Sequence, residues 1–193
     1  MLVFFMIKQI IMNMYGTMVP VSGELVLRNG LEEFLDKHKK KGLVVLSRLS
    51  REKTESDLNE VGIGDVRVYG AEDMHNIITG ATVSDKYKVN NEVMARHIAE
   101  CISPDSDTKP DFYIQAPPLR QIAREAKVEL GESALVSDYF VDVDDAASER
   151  VGRVFGVPTF ENPKNDDFSF KNVNFYSPGT MVSTFFKGQV GLK

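Results

Sequence analysis

Lys8-Gln9-Ile10-Ile11-Met12-Asn13-Met14-Tyr15-Gly16-Thr17 is the stretch that decides the fold. Its apolar run is rich in β-formers, too short for a helix, and ends in a polar residue followed by a Gly-Thr pair. That pattern reads as a buried strand entering a tight loop. In an open parallel sheet, ligands bind at such carboxyl-terminal strand ends, because helix amino termini and loop amides converge there. Asn13 is therefore the candidate active-site position.

Working outward, the chain has 193 residues, enough for a sizeable core, with 42% apolar and 26% charged residues and a formal net charge of −5. This suits one domain over 1–193, with a helical elaboration at about 70–108 and a carboxyl-terminal tail at about 161–193. No basic run interleaved with aromatics occurs, so nucleic acid is not the expected partner. A single cysteine, Cys101, cannot form an internal disulfide and suits a reducing, cytoplasmic setting. The run Met1–Ile7 lacks a basic n-region and a small-residue cleavage site, and Lys8 and Gln9 interrupt it well short of a membrane span. His38, His75 and His97 have no metal-ligand spacing.

Apolar residues at 31, 34 and 35 predict a helix over Leu31–His38, closed by Lys39-Lys40-Lys41 and with Gly42 as its left-handed cap. Leu43–Ser47 reads as a second buried strand with a hydroxyl at its tip. Arg51–Val61 follows as a helix ended by Gly62, and Val66–Tyr69 as a third strand. Asn90–Ile102 carries helical spacing, and a further helix starts at Pro117-Pro118. Ala134–Ser137 is the fourth strand, Asp144–Gly152 a short helix, and Val154–Phe160 the fifth strand and its exit. The fourth strand runs into Asp138-Tyr139-Phe140-Val141-Asp142. Two carboxylates on one strand-end loop repel each other unless a cation sits between them, which is the physical case for a hard metal. The alternative is that such acids are solvated or cap the following helix.

The four strand-linked motifs, spread over Met6–Phe160, together resemble those of the haloacid dehalogenase-like hydrolase superfamily. Asn13-Met14-Tyr15-Gly16-Thr17 is similar to the first motif, Asp-x-Asp-Gly-Thr or Asp-x-Tyr-Gly-Thr, with Asn13 in place of the nucleophilic Asp. Ser47 matches the second motif's strand-end hydroxyl and Lys109-Pro110 the third. Asp138 and Asp142 match the two acids of the fourth, with Ser137 where the family has glycine.

The resemblance implies an α/β fold: a three-layer Rossmann-like sandwich whose five-stranded parallel sheet has the order 5-4-1-2-3, with a short or absent cap. It implies catalytic positions at Asn13, Tyr15, Ser47 and Lys109, and phosphate contacts from Thr17, Ser47 and Lys109. It also implies Mg²⁺ held by Asn13, the Tyr15 carbonyl, Asp138 and Asp142. An amide carries no negative charge and its nitrogen lone pair is delocalised, so nucleophilic attack from Asn13 should fail. A tyrosine with an ordinary pKa near 10 is poorly matched to shuttle a proton at neutral pH.

The expectation is thus a degenerate hydrolase fold, weak or inactive as a phosphatase, with a phosphate and Mg²⁺ pocket and a small phosphorylated ligand or a protein as partner. Two alternatives stay open: an active Mg²⁺-dependent phosphatase or dehalogenase-like hydrolase in which Asn13 is an introduced substitution or a bypassed position, and a nucleotide or polynucleotide phosphatase domain. A homo-oligomer, in which another subunit closes the site, is also open. No membrane association is expected.

Overall fold

The computed structural model describes residues 6–76, 115–173 and 175. The chain divides into two compact units, Met1–Met74 with Pro117–Lys193, and His75–Ala116. Strands β1 (Gln9–Asn13), β2 (Gly42–Leu46) and β3 (Arg67–Tyr69), together with β6 (Ser133–Ser137) and β7 (Arg153–Gly156), form the sheet of the first unit. The second unit contains a short antiparallel pair, β4 (His75–Asn76) and β5 (Gln115–Ala116).

In the larger sheet every neighbouring pair is parallel and the order is β3-β2-β1-β6-β7. Counted along the chain from one edge this is 3-2-1-4-5, the expected 5-4-1-2-3 read from the other. The α/β, Rossmann-like architecture follows from it. The central strand is β1, and all five of its residues are buried.

Because side chains alternate across a strand, one sheet feeds two cores. Ile10, Met12, Val45, Val68, Ala134, Val136 and Phe155 face one side with Phe34 and Leu58, which come from helices α1 (Leu31–His38) and α2 (Arg51–Glu60). Ile11, Val44, Leu46, Tyr69 and Leu135 face the other, against Leu119 and Ile122 of α3 (Leu119–Ala126) and Val143 and Ala146 of α4 (Phe140–Ser148). Helices on both faces oblige the parallel strands to be apolar throughout, and this makes β1, β2 and β6 legible as short apolar runs.

Two expectations need correction. Gly42 does not cap α1: Lys39 ends that helix in right-handed geometry, and Gly42 is already the first residue of β2, paired with Gln9. Lys39 closes the helix by donating its N–H to the Asp36 carbonyl, so the chain needs no left-handed residue before it enters β2. The fourth helix begins at Phe140 rather than Asp144, so Asp142 lies in its first turn and not on a loop.

Over its described part the carboxyl-terminal tail packs into the core. Phe168, Phe170, Val173 and Phe175 are buried in the core beside Phe34, with the Phe34 and Phe170 rings 5.4 Å apart. The expected helix over 90–102, with His97 and Cys101, the Lys109-Pro110 pair and the tail beyond 175 lie outside the described residues. Among the described residues no helix is long and apolar enough to cross a membrane.

Candidate functional site

Parallel pairing brings the carboxyl ends of β1, β2 and β6 to one edge of the sheet. Asn13 pairs with Leu46, one residue before Ser47, and Met12 pairs with Val136, two residues before Asp138. The loop after β1 turns at once: Met14 N–H donates to the Leu46 carbonyl at 2.9 Å, and Met18 N–H donates to the Met14 carbonyl at 2.8 Å. The turn needs Gly16, whose φ is +81°. A Cβ there would stand 2.1 Å from Asp138 Oδ2. Glycine thus lets the loop and the end of β6 approach closely.

Asn13 is 6% exposed. Its Nδ2 donates to the Tyr15 backbone carbonyl at 2.9 Å and to Asp138 Oδ1 at 3.0 Å. A backbone carbonyl can only accept, so the group facing it must be the amide NH₂, and hydrogen-bond chemistry fixes the orientation of the side chain. Thr17 completes the knot. Its hydroxyl donates to Asp138 Oδ1 at 2.8 Å and accepts from Asp138 N–H at 2.9 Å. Burial pushes the Asp138 carboxyl above its ordinary range, against the pull of the hydrogen bonds from Asn13 and Thr17.

Asp142 is fully buried and engaged differently from the expected metal ligand. Both its oxygens accept from the Arg48 guanidinium, Oδ2 from Nη1 at 3.0 Å and Oδ1 from Nη2. Oδ2 also accepts from the Ser137 hydroxyl at 2.8 Å. The Arg48 guanidinium lies over the Tyr139 ring, 4.2 Å from its centroid. Burial acts against the charge of Arg48, but Asp142 outweighs it and holds the guanidinium more firmly protonated. Asp142 sits in the first turn of α4, where a carboxylate also favours the helix dipole.

Ser47 is buried at the tip of β2, where its oxygen accepts from Leu49 N–H at 3.0 Å and its own N–H donates to the Tyr69 carbonyl. The Tyr15 side chain leaves this cluster for α2. Its hydroxyl donates to Asp57 Oδ2 at 2.6 Å, and Lys53 holds the other Asp57 oxygen. Burial, then the hydrogen bond to Asp57, drive the Tyr15 pKa far above its usual value. Burial alone would raise the Asp57 carboxyl, but the Lys53 and Tyr15 hydrogen bonds hold it below the ordinary carboxylate range.

The structure therefore brings Asn13, the Tyr15 carbonyl, Thr17 and Asp138 into one contact set. Asp142 belongs to a second set, and Lys109 is outside the described residues. Sequence reading missed Arg48, Tyr139 and Asp57. Arg48 directly follows the strand-end serine, a position from which a long cation can reach across the strand tips, and that was the available signal.

Mg²⁺ requires near-octahedral oxygen donors at about 2.0–2.1 Å, one or two of them carboxylates. The residues do not fit it. Asn13 turns two N–H bonds, not an oxygen, toward the Tyr15 carbonyl and Asp138, and Asp142 is already neutralised by Arg48. Among the described residues no group of three or more His, Cys, Asp or Glu is placed to hold a metal ion.

No protein-family model matches the chain, and no curated protein matches it. Among solved structures, it is similar to NagD from E. coli K-12 at 13% identity and a TM-score of 0.49, over 88% of this chain and 99% of that one. It is also similar to a putative HAD family hydrolase from Streptomyces avermitilis MA-4680 at 10% identity and a TM-score of 0.37, over 80% and 79% of the two chains.

Proposed function

We propose that this chain is a haloacid dehalogenase-like hydrolase-fold protein whose catalytic strand end is degenerate. It is weak or inactive as a phosphatase and acts by binding, with a small phosphorylated molecule or a protein as partner. The observation that carries this reading is the engagement of Asn13. The side chain at the nucleophile's position has no carboxylate, and its NH₂ is committed to the Tyr15 carbonyl and Asp138.

Tyr15 supports the same reading from the other side of the reaction. A phenol already donating to the carboxylate of Asp57, with its pKa driven upward, does not release and recover a proton at neutral pH. Thr17 and Ser47 are the proposed hydroxyl contacts to a phosphoryl group by the resemblance of their motifs, and the Thr17 hydroxyl bonds Asp138 in the free chain. Lys109 is the proposed cationic contact to phosphate by the same resemblance.

The test is turnover of p-nitrophenyl phosphate with Mg²⁺ by the wild-type chain and by Asn13→Asp. Wild type should stay at background while the Asp form gains activity. Equal and substantial turnover by both would defeat the reading.

A further inference from the structure

We propose that this strand end has its own donors where a metal-dependent site would have a divalent cation. The amide of Asn13 cross-links Asp138 to the Tyr15 carbonyl, the guanidinium of Arg48 neutralises Asp142, and the folded chain is indifferent to Mg²⁺. The inference rests on the degenerate reading of the site and deepens it. It concerns why the fold tolerates two acids at its strand tips without a cation.

Asp138 and Asp142 leave the end of one strand only four positions apart in the chain. Two carboxylates so placed in a partly buried site raise the cost of folding unless positive charge or hydrogen-bond donors face them. Each acid has a separate solution. The Arg48 fork meets Asp142 on both oxygens, with Ser137 as a third donor. Such a pair is strong because the planar guanidinium matches the carboxylate edge to edge.

Among the described residues, the donors that hydrogen-bond the Asp138 carboxylate are neutral. The carboxylate receives the Asn13 amide at 3.0 Å and the Thr17 hydroxyl at 2.8 Å, both on Oδ1. The second hydrogen of the same amide goes to the Tyr15 carbonyl at 2.9 Å. One NH₂ group thus bridges a carboxylate and a backbone carbonyl, two oxygen acceptors of the kind a hard cation would take. An aspartate at position 13 would reverse the polarity, turning three oxygens and two negative charges toward the same point.

The consequence is read in thermal stability rather than in turnover, so failure of this inference is distinct from failure of the proposed function. The midpoint Tm of wild type and of Asn13→Asp is measured in EDTA and in 10 mM MgCl₂, with NaCl at matched ionic strength as control. Wild type should move by less than about 1 °C between MgCl₂ and NaCl. Asn13→Asp should melt lower in EDTA and rise by at least about 3 °C with Mg²⁺. If Asn13→Asp does not fold without the cation, its refolding yield with and without Mg²⁺ gives the same answer, and recovery only with Mg²⁺ supports the inference. A Mg²⁺-dependent rise in the wild-type Tm comparable to that expected for the variant overturns it. So does a folded Asn13→Asp that ignores Mg²⁺, because the amide would then not be what occupies the cation's position.

Discussion

Arg28 and Asp166 stand 138 residues apart in the sequence and pair as a fork, Nε and Nη2 donating to the two carboxylate oxygens at 2.7 and 2.6 Å. The guanidinium is wholly buried, 5.1 Å from the centroid of the Phe160 ring and 4.4 Å from that of Phe168, and Nη1 donates to the Pro158 carbonyl at 2.7 Å. The Phe160 N–H in turn donates to the Gly16 carbonyl at 2.7 Å, so the loop at the candidate site is tied to the segment after β7. Loss of one partner leaves an uncompensated buried charge, which costs about 3–5 kcal/mol. Arg28→Met should lose stability on that scale in urea unfolding. The double variant Arg28→Met with Asp166→Leu should lose less than the two single variants summed, because no lone charge is then buried.

Gly16 and Gly23 both have positive φ, +81° and +92°, but only Gly16 has a neighbour close to where a Cβ would be. Gly23→Ala should cost about 1–2 kcal/mol, the ordinary left-handed penalty. Gly16→Ala adds a clash with the Asp138 carboxylate and should cost more than that, with both values read from chemical denaturation. Equal losses at the two positions would contradict the close approach of the β1 loop to Asp138.

Tyr15→Phe removes one of the two donors on Asp57, whose side chain is 4% exposed. A hydrogen bond to a charged group contributes about 1.5–3 kcal/mol, which is the expected loss at pH 7. The folded Asp57 carboxyl titrates below its unfolded value, so its contribution is present above about pH 4 and is lost as the pH falls. The gap between wild type and Tyr15→Phe should therefore narrow toward pH 3, as followed by urea midpoints across that range.

His38 is buried against Phe34 and Phe175, with ring centroids 4.7 and 5.0 Å away, and its Nε2 has no hydrogen-bond partner among the described residues. Burial, then the charges of Lys41 and Lys37, hold its pKa below the usual 6.5. A histidine that binds its proton less readily folded than unfolded gives stability that is full above about pH 6.5 and falls as the pH drops toward the folded pKa. Wild type should lose stability as the pH falls below about 6.5, and His38→Leu should lose that part of the slope. An unchanged slope in the variant would remove His38 from the account.

The strands of the sheet were legible because a parallel sheet covered on both faces demands apolar runs. Lys8–Met12, Leu43–Leu46 and Ala134–Val136 have no competing helical period. Loop residues were legible where backbone geometry restricts the choice, as at Gly16. The start of α4 was misplaced because the helix begins after Tyr139, which makes no side-chain cap bond, so no capping residue marks the entry in the sequence. Arg28 was invisible for a related reason. A lone arginine in a loop reads as solvated, and only the arrival of Asp166, Phe160 and Phe168 from the far end of the chain makes its burial favourable.

From its sequence alone, this chain declares a parallel α/β sheet and an uncharged amide, Asn13, at the tip of one buried strand, because strand periodicity and side-chain chemistry are local properties. What each acid at the strand tips does was settled only by tertiary structure. Asp138 faces the Asn13 amide and Asp142 faces Arg48, since the direction of a side chain and the identity of its neighbour depend on which strand ends the fold brings together.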